Sequence, residues 1–131
     1  MKQTKPRPSE VIENFLNYIE QCKTDYQNAV NAVEEADRKE LMDLVHEMEF
    51  AQDKKERNRI ATKLHNSRVQ RRKNKDIVDE LKDFVAFFDE LNHRNTLNKM
   101  RQLLTKQKKT EEYVHGEREY KPRMTKEVVK E

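Results

Sequence analysis

Three carboxylate-x-x-histidine pairs stand in this sequence: Asp43 with His46, Glu90 with His93, and Glu112 with His115. On a helix this spacing stacks acid and imidazole one turn apart. Two such Glu-x-x-His pairs facing each other, with further glutamates, let helical bundles hold two irons. The order of the motifs argues against that use here. His93 falls at the end of one expected helix. His115 ends the next, which begins beside His93, so the helical residues between them hold the two rings about 30 Å apart. The histidines read as solvated groups near helix ends, and no metal or other cofactor is expected. Cys22 is the only cysteine, which rules out an internal disulfide and suits a reducing compartment. It lies on an apolar seam, where a buried structural thiol is expected rather than a nucleophile. No glycine-rich loop is present to cradle phosphates, which excludes dinucleotide and P-loop fingerprints. Nothing here supplies an activated nucleophile or an acid–base pair, so the chain is expected to be no enzyme and to work by binding.

The residues with binding potential are basic. From Arg57 to Lys75 there is no acid, and the stretch holds Arg57, Arg59, Lys63, Arg68, Arg71, Arg72, Lys73 and Lys75. From Glu34 to Asp53 the reverse holds, with eight acids against Arg38 and Lys39. Two uses of this layout are open. The blocks could lie side by side in a hairpin and set antiparallel pairing, each exposed pair adding under ~1 kcal/mol. Alternatively, part of the basic block faces outward and binds DNA or RNA phosphates, the candidates being Arg68, Arg71, Arg72 and Lys75. Arginine fits phosphate oxygens in bidentate fashion. No aromatic residue accompanies the block for base stacking. The net charge of +3 and the neighbouring acids favour the first use and hence a protein partner.

The elements that carry these residues follow from an absence. Between Ser9 and His115 there is neither glycine nor proline, the only glycine being Gly116 and the prolines Pro6, Pro8 and Pro122. A stretch this long without the residues that make turns reads as a few long helices. Ser9 suits an N-cap, followed by Glu10 in the first turn. Apolar residues then recur at Ile12, Phe15, Ile19, Cys22, Tyr26, Ala29 and Val33, a three-four seam. The seam resumes at Leu41, Leu44, Met48 and Ala51 after slipping by one residue. The first helix is thus expected from Ser9 to about Ala51, about 60 Å long. A turn falls at Gln52–Lys55.

The second helix runs from about Lys55 to Asn92, with a seam at Ile60, Leu64, Ser67, Arg71, Asn74, Val78, Leu81, Val85 and Phe88. Its middle positions are polar. Such residues fix register or mark the entry of another helix, and register is the preferred reading. Asn92–Asn95 breaks the pattern, and a short third helix follows from about Thr96 with Leu97, Met100, Leu103, Leu104, Gln107, Tyr113 and Val114, stopping at Gly116. Folding about residue 53 sets Phe15, Tyr18 and Ile19 opposite Phe84, Phe87 and Phe88. These rings are expected to form core rather than a ligand pocket.

The expected fold is all-α: a long antiparallel helical hairpin with a third helix returning beside its aromatic end, hence a three-helix bundle with a protruding two-helix arm over roughly residues 36–72. Residues 1–8 are expected to be a disordered N-terminal arm, 9–115 a single helical domain, and 116–131 a C-terminal tail with a short helical turn after Thr125. Composition agrees with helices. Ala, Glu, Lys, Leu and Arg make up 60 of 131 residues, while Val, Ile, Leu and Phe supply only 28, so the core must be a thin seam. No apolar run is long enough to span a membrane and none follows the N-terminus as a signal peptide would, so a cytoplasmic protein is expected. The arm leaves apolar edges that a second copy could cover, so a homo-oligomer is expected.

The run Leu64-His65-Asn66-Ser67-Arg68-Val69-Gln70-Arg71-Arg72-Lys73-Asn74-Lys75-Asp76, the acidic-apolar stretch to Phe84, and Tyr120-Lys121-Pro122-Arg123 resemble small helical proteins encoded by phages and prophages of Gram-positive bacteria. The resemblance spans about residues 40–123 and carries no functional residue over. It implies a small accessory protein in the host cytoplasm that binds and modulates, or inhibits, a host or phage protein.

Overall fold

The computed structural model describes residues 5–117 and 119. Among them the chain is all helix and turn. Helix α1 covers Pro8–Glu35 and passes through a π-helical turn, Ala36–Glu40, into α2, Leu41–Glu49. The three pieces form one continuous rod. The π turn absorbs one extra residue, since Leu41 N–H reaches back five residues to the Ala36 carbonyl. That residue is the one by which the apolar seam slips between Val33 and Leu41. The insertion returns Leu44 and Met48 to the face that Val33 occupies about three turns earlier.

The chain reverses over Phe50–Asp53. Asp53 caps the next helix, its Oδ1 accepting from Glu56 N–H at 2.7 Å. Helix α3, Lys54–Asp89, then runs back along the rod. Its pairing is antiparallel throughout: Arg59 meets Glu47, Ser67 meets Glu40, Arg68 meets Asp37, Phe84 meets Tyr18 and Phe88 meets Phe15. All nine seam positions from Ile60 to Phe88 are buried or half-buried, the polar three included.

Helix α4, Leu91–His115, starts five residues before the expected Thr96, after a break of one residue, Glu90. Two contacts make so short a corner workable. The His93 ring stacks on Phe87 with centroids 3.8 Å apart, and its Nδ1 lies 2.6 Å from the Phe87 carbonyl, which also accepts from Glu90 N–H at 3.4 Å. Phe87 is therefore a corner residue, half exposed, and not the core ring expected of it. Along α4, Arg101 pairs with Glu20, Lys108 with Glu13 and Glu111 with Ser9. The partners advance on α4 as they retreat on α1, so α4 keeps the direction of α3, antiparallel to α1.

The core lies where the three helices meet. Leu16, Ile19 and Leu97 are its buried centre, with Ile12, Phe84, Phe88, Met100 and Leu104 packed around them. Leu16 is off the α1–α3 seam and is buried because α4 covers that flank of α1. Phe15, on the seam, stays partly exposed. Beyond this end the α1–α2 rod and α3 continue as a two-helix arm, with Ile60 at 1% exposure as its buried centre. No helix among the described residues is long and apolar enough to cross a membrane.

Two expectations about the ends change or fall away. Ser9 is not the N-cap. Helix α1 begins one residue earlier with Pro8 in its first turn, a position where the missing N–H costs nothing. Of the expected tail, residues 118 and 120–131 lie outside the described residues, as does the turn after Thr125. Residues 1–4 of the expected N-terminal arm lie outside them too. Gly116 does end α4, with an ordinary φ of −83°. A Cβ there would sit 2.6 Å from the Glu112 carbonyl oxygen, which accounts for glycine at that stop.

Candidate functional site

The basic stretch of α3 crosses the rod at the π turn, and the two features fit each other. Asp37, inside the π turn, accepts from Arg71 Nε at 2.7 Å and from Arg68 Nη1 at 3.1 Å, both on Oδ1. Arg68 Nη2 donates at 2.9 Å to the Ala36 carbonyl, and Ser67 Oγ donates to Glu40 at 2.6 Å. The π turn thus aims one carboxylate and one main-chain oxygen at α3, and two guanidinium groups close on them. The bond from Arg71, above all, holds the Asp37 carboxyl below the usual aspartate range, and the second bond from Arg68 adds to it. Arg68 Nε is buried with no hydrogen-bond partner among the described residues.

This cluster decides where the four phosphate-binding candidates stand. Arg68 and Arg71 point inward, each committed to Asp37. Lys75 lies 3.5 Å from Asp79 on its own helix. Arg72 alone is exposed and makes no ion pair among the described residues. The structure therefore does not bring the four together as a surface cluster. The polar seam residues Ser67, Arg71 and Asn74 are explained by the same geometry: the first two bond to the rod, while Asn74 donates to the Gln70 carbonyl one turn back. A slip of α3 by one turn would separate Arg71 from Asp37 and Ser67 from Glu40 together, so this layer fixes register.

The other candidates fall in structural positions. His46 lies against Phe50 and 3.7 Å from Glu49, rather than with Asp43. His93 holds the α3–α4 corner with Glu90 at 3.2 Å. Cys22 is buried on the seam, and its hydrogen bond with the Tyr18 hydroxyl raises that phenol above the ordinary tyrosine value.

Sequence reasoning missed Glu111. This acid is buried at 6% exposure, and its two oxygens accept from Ser9 N–H at 3.0 Å and Ser9 Oγ at 2.5 Å. The first N–H groups of a helix have no partner within it. Glu111 supplies one from 102 residues away, placing negative charge at the positive end of α1. The Ser9 hydroxyl, first of all, holds the Glu111 carboxyl below the usual glutamate range, with Gln107 and the Ser9 amide adding to it. No local pattern announces such a cap.

A shallow groove opens on the arm. Leu44, Val45, Met48, Ile60 and Leu64 line it, with Glu49 at its edge, and its volume is about 270 Å³. Val45 and the neighbouring Met42 are 45% and 62% exposed. No protein-family model matches the chain, and neither does any curated protein or any solved structure.

Proposed function

We propose that this chain is a non-enzymatic helical interaction protein that docks on another protein through its arm and modulates it, as a phage-type accessory protein would. The observation that carries this reading is the pairing of Arg68 and Arg71 with Asp37. It takes half of the candidate phosphate contacts out of the surface and leaves an arm whose notable exposed feature is an apolar groove. Apolar side chains exposed together on a slender two-helix arm favour a protein surface over a charged backbone.

The competing reading, contact with DNA or RNA phosphates, now depends on Arg72 together with Arg57, Lys63 and Lys73. All are exposed and none makes an ion pair among the described residues. Binding of mixed-sequence duplex and single strands across a salt series separates the two. The variant to compare is Lys63→Glu/Arg72→Glu/Lys73→Glu, which spares the Asp37 layer. Weak binding that the variant leaves unchanged is expected. Sub-micromolar, salt-steep binding that the variant abolishes would replace the protein-docking reading with a nucleic-acid one.

A further inference from the structure

Helix α4 covers one flank of the α1–α3 pair, and that flank is traceable along α3. Lys23 and Asp89 pair at 3.1 Å beside the start of α4, and Lys23 shares a surface groove with Leu91, Arg94 and Leu97. Stepping back from Asp89 by sevens along α3 gives Lys82, Lys75, Arg68, Ala61 and Lys54, which share its flank. On the arm this same flank borders the apolar groove, since Ala61 lies between Ile60 and Leu64 in sequence and His65 and Arg72 extend the edge at a seven-residue interval. The position that α4 fills at one end of the molecule is therefore open at the other.

We infer that this open position takes an amphipathic helix whose apolar stripe is flanked by acidic residues, resting on the protein-docking reading above. The floor is Leu44, Val45, Met48, Ile60 and Leu64. The α3 edge carries Lys54, Arg57, His65 and Arg72, all exposed and none with a side-chain ion pair among the described residues. The α2 edge offers a single acid, Glu49, which lies near His46. An incoming helix with apolar residues at i, i+3, i+4 and i+7 would bury that floor as α4 buries Leu16, and its flanking carboxylates would meet the unpaired basic edge. The apolar floor is what separates this occupant from nucleic acid, which would meet the edge but gain nothing from Val45 and Met48. A second copy of the chain is a weaker fit. The surface of α2 that it would offer is Met42, Val45 and Glu49, with one carboxylate for the three cations Lys54, Arg57 and Arg72.

The test uses the full chain and two labelled synthetic helical peptides of about 20 residues, identical in their leucine stripe, one flanked by glutamates and the other by lysines. Fluorescence anisotropy should show the acidic peptide binding at least tenfold more tightly than its basic twin. Val45→Asp, at a position 45% exposed, should abolish binding while far-UV circular dichroism stays unchanged. Arg57→Glu/Arg72→Glu should weaken the acidic peptide at least tenfold and strengthen the basic one. Equal binding of the two peptides, no binding of either, or indifference to Val45→Asp would overturn the inference. So would a concentration-dependent dimer that Val45→Asp disperses, because a second copy would then own the groove. Duplex DNA titrated into the same samples keeps the two levels apart. Salt-steep DNA binding defeats the protein-docking reading itself, whereas failure of both peptides without DNA binding defeats only this assignment of the groove.

Discussion

Two carboxylates with lowered pKa values link the fold to pH, and each acts on one contact. Glu111 holds the start of α1 to the end of α4 through Ser9, and Asp37 holds α3 to the π turn through Arg71 and Arg68. A group whose folded pKa lies below its unfolded one adds stability at pH values above the unfolded pKa. That stability is lost as pH falls through the folded value, because the unfolded chain takes up the proton first. The melting temperature should therefore be flat near neutrality and fall once pH drops below the ordinary carboxylate range. Glu111→Gln should flatten part of that acid limb, since it removes the titrating group and keeps an acceptor for Ser9. Glu111→Ala should lower the melting temperature at neutral pH by several degrees, and Ser9→Ala by less. Thermal melts of the three variants between neutral and acid pH measure this directly. An acid limb unchanged by Glu111→Gln would place the sensitivity elsewhere. The sequence singled out Ser9, but as an N-cap, a role that Arg7 takes; Ser9 sits inside the first turn and bonds Glu111 instead. That partner stands 102 residues away, and neither Pro8 nor Glu10 carries any sign of it.

At the scale of the elements, the seam was the readable part. The spacing of Ile60, Leu64, Ser67, Arg71, Asn74, Val78, Leu81, Val85 and Phe88 is fixed by what must face the rod, so burial follows it even where the residues are polar. The slip between Val33 and Leu41 was visible as well, but a shift of phase has several structural solutions. The π turn becomes identifiable only once α3 holds Leu44 and Val33 to one face. The start of α4 was not readable, because Leu91-Asn92-His93-Arg94-Asn95 carries one apolar residue, and the helix there depends on His93 meeting Phe87. These assignments predict opposite results for two deletions. Removing Lys39 takes out the extra residue together with the π turn and leaves the seam in phase, so helix content and melting temperature should stay within a few degrees of wild type. Removing exposed Asp76 rotates residues 54–75 by about 100° relative to the rest of α3. It takes Ile60 and Leu64 off the rod and should broaden or abolish cooperative unfolding. Within the arm, Ile60→Ala should cost about 2–5 kcal/mol, as at other fully buried isoleucines. Hydrogen exchange should show the loss in the arm while amides around Leu16, Ile19 and Leu97 keep their protection, because Ile60 is the large buried side chain on which the arm's packing centres among the described residues.

The whole molecule follows from the ratio of core to charge. With a charged fraction of 40% the chain cannot enclose a broad core. It lays a narrow apolar seam along a rod and thickens only where α4 adds a third layer. At ~1.5 Å per residue the rod from Pro8 to Glu49 is about 63 Å long. A compact domain of this chain length would have a radius of gyration of about 14 Å. A monomer built on such a rod should instead give about 19–20 Å by small-angle scattering, since a thin rod of that length alone contributes about 18 Å. The distance distribution should carry a long shoulder from the arm beyond a main peak set by neighbouring helices about 8–10 Å apart. The measurement also reports on the arm's exposed apolar side chains. If Met42, Val45 and the groove behind them are free in solution, the scattering mass should match one chain and the shoulder should persist on dilution. If a second chain covers them, the mass should double at high concentration and the extra length should vanish on dilution or in Val45→Asp. A radius near 14 Å at any concentration would mean that the arm folds back onto the bundle. The antiparallel register set by Asp37, Arg68 and Arg71 would then have to be wrong, because those contacts hold α3 straight along the rod.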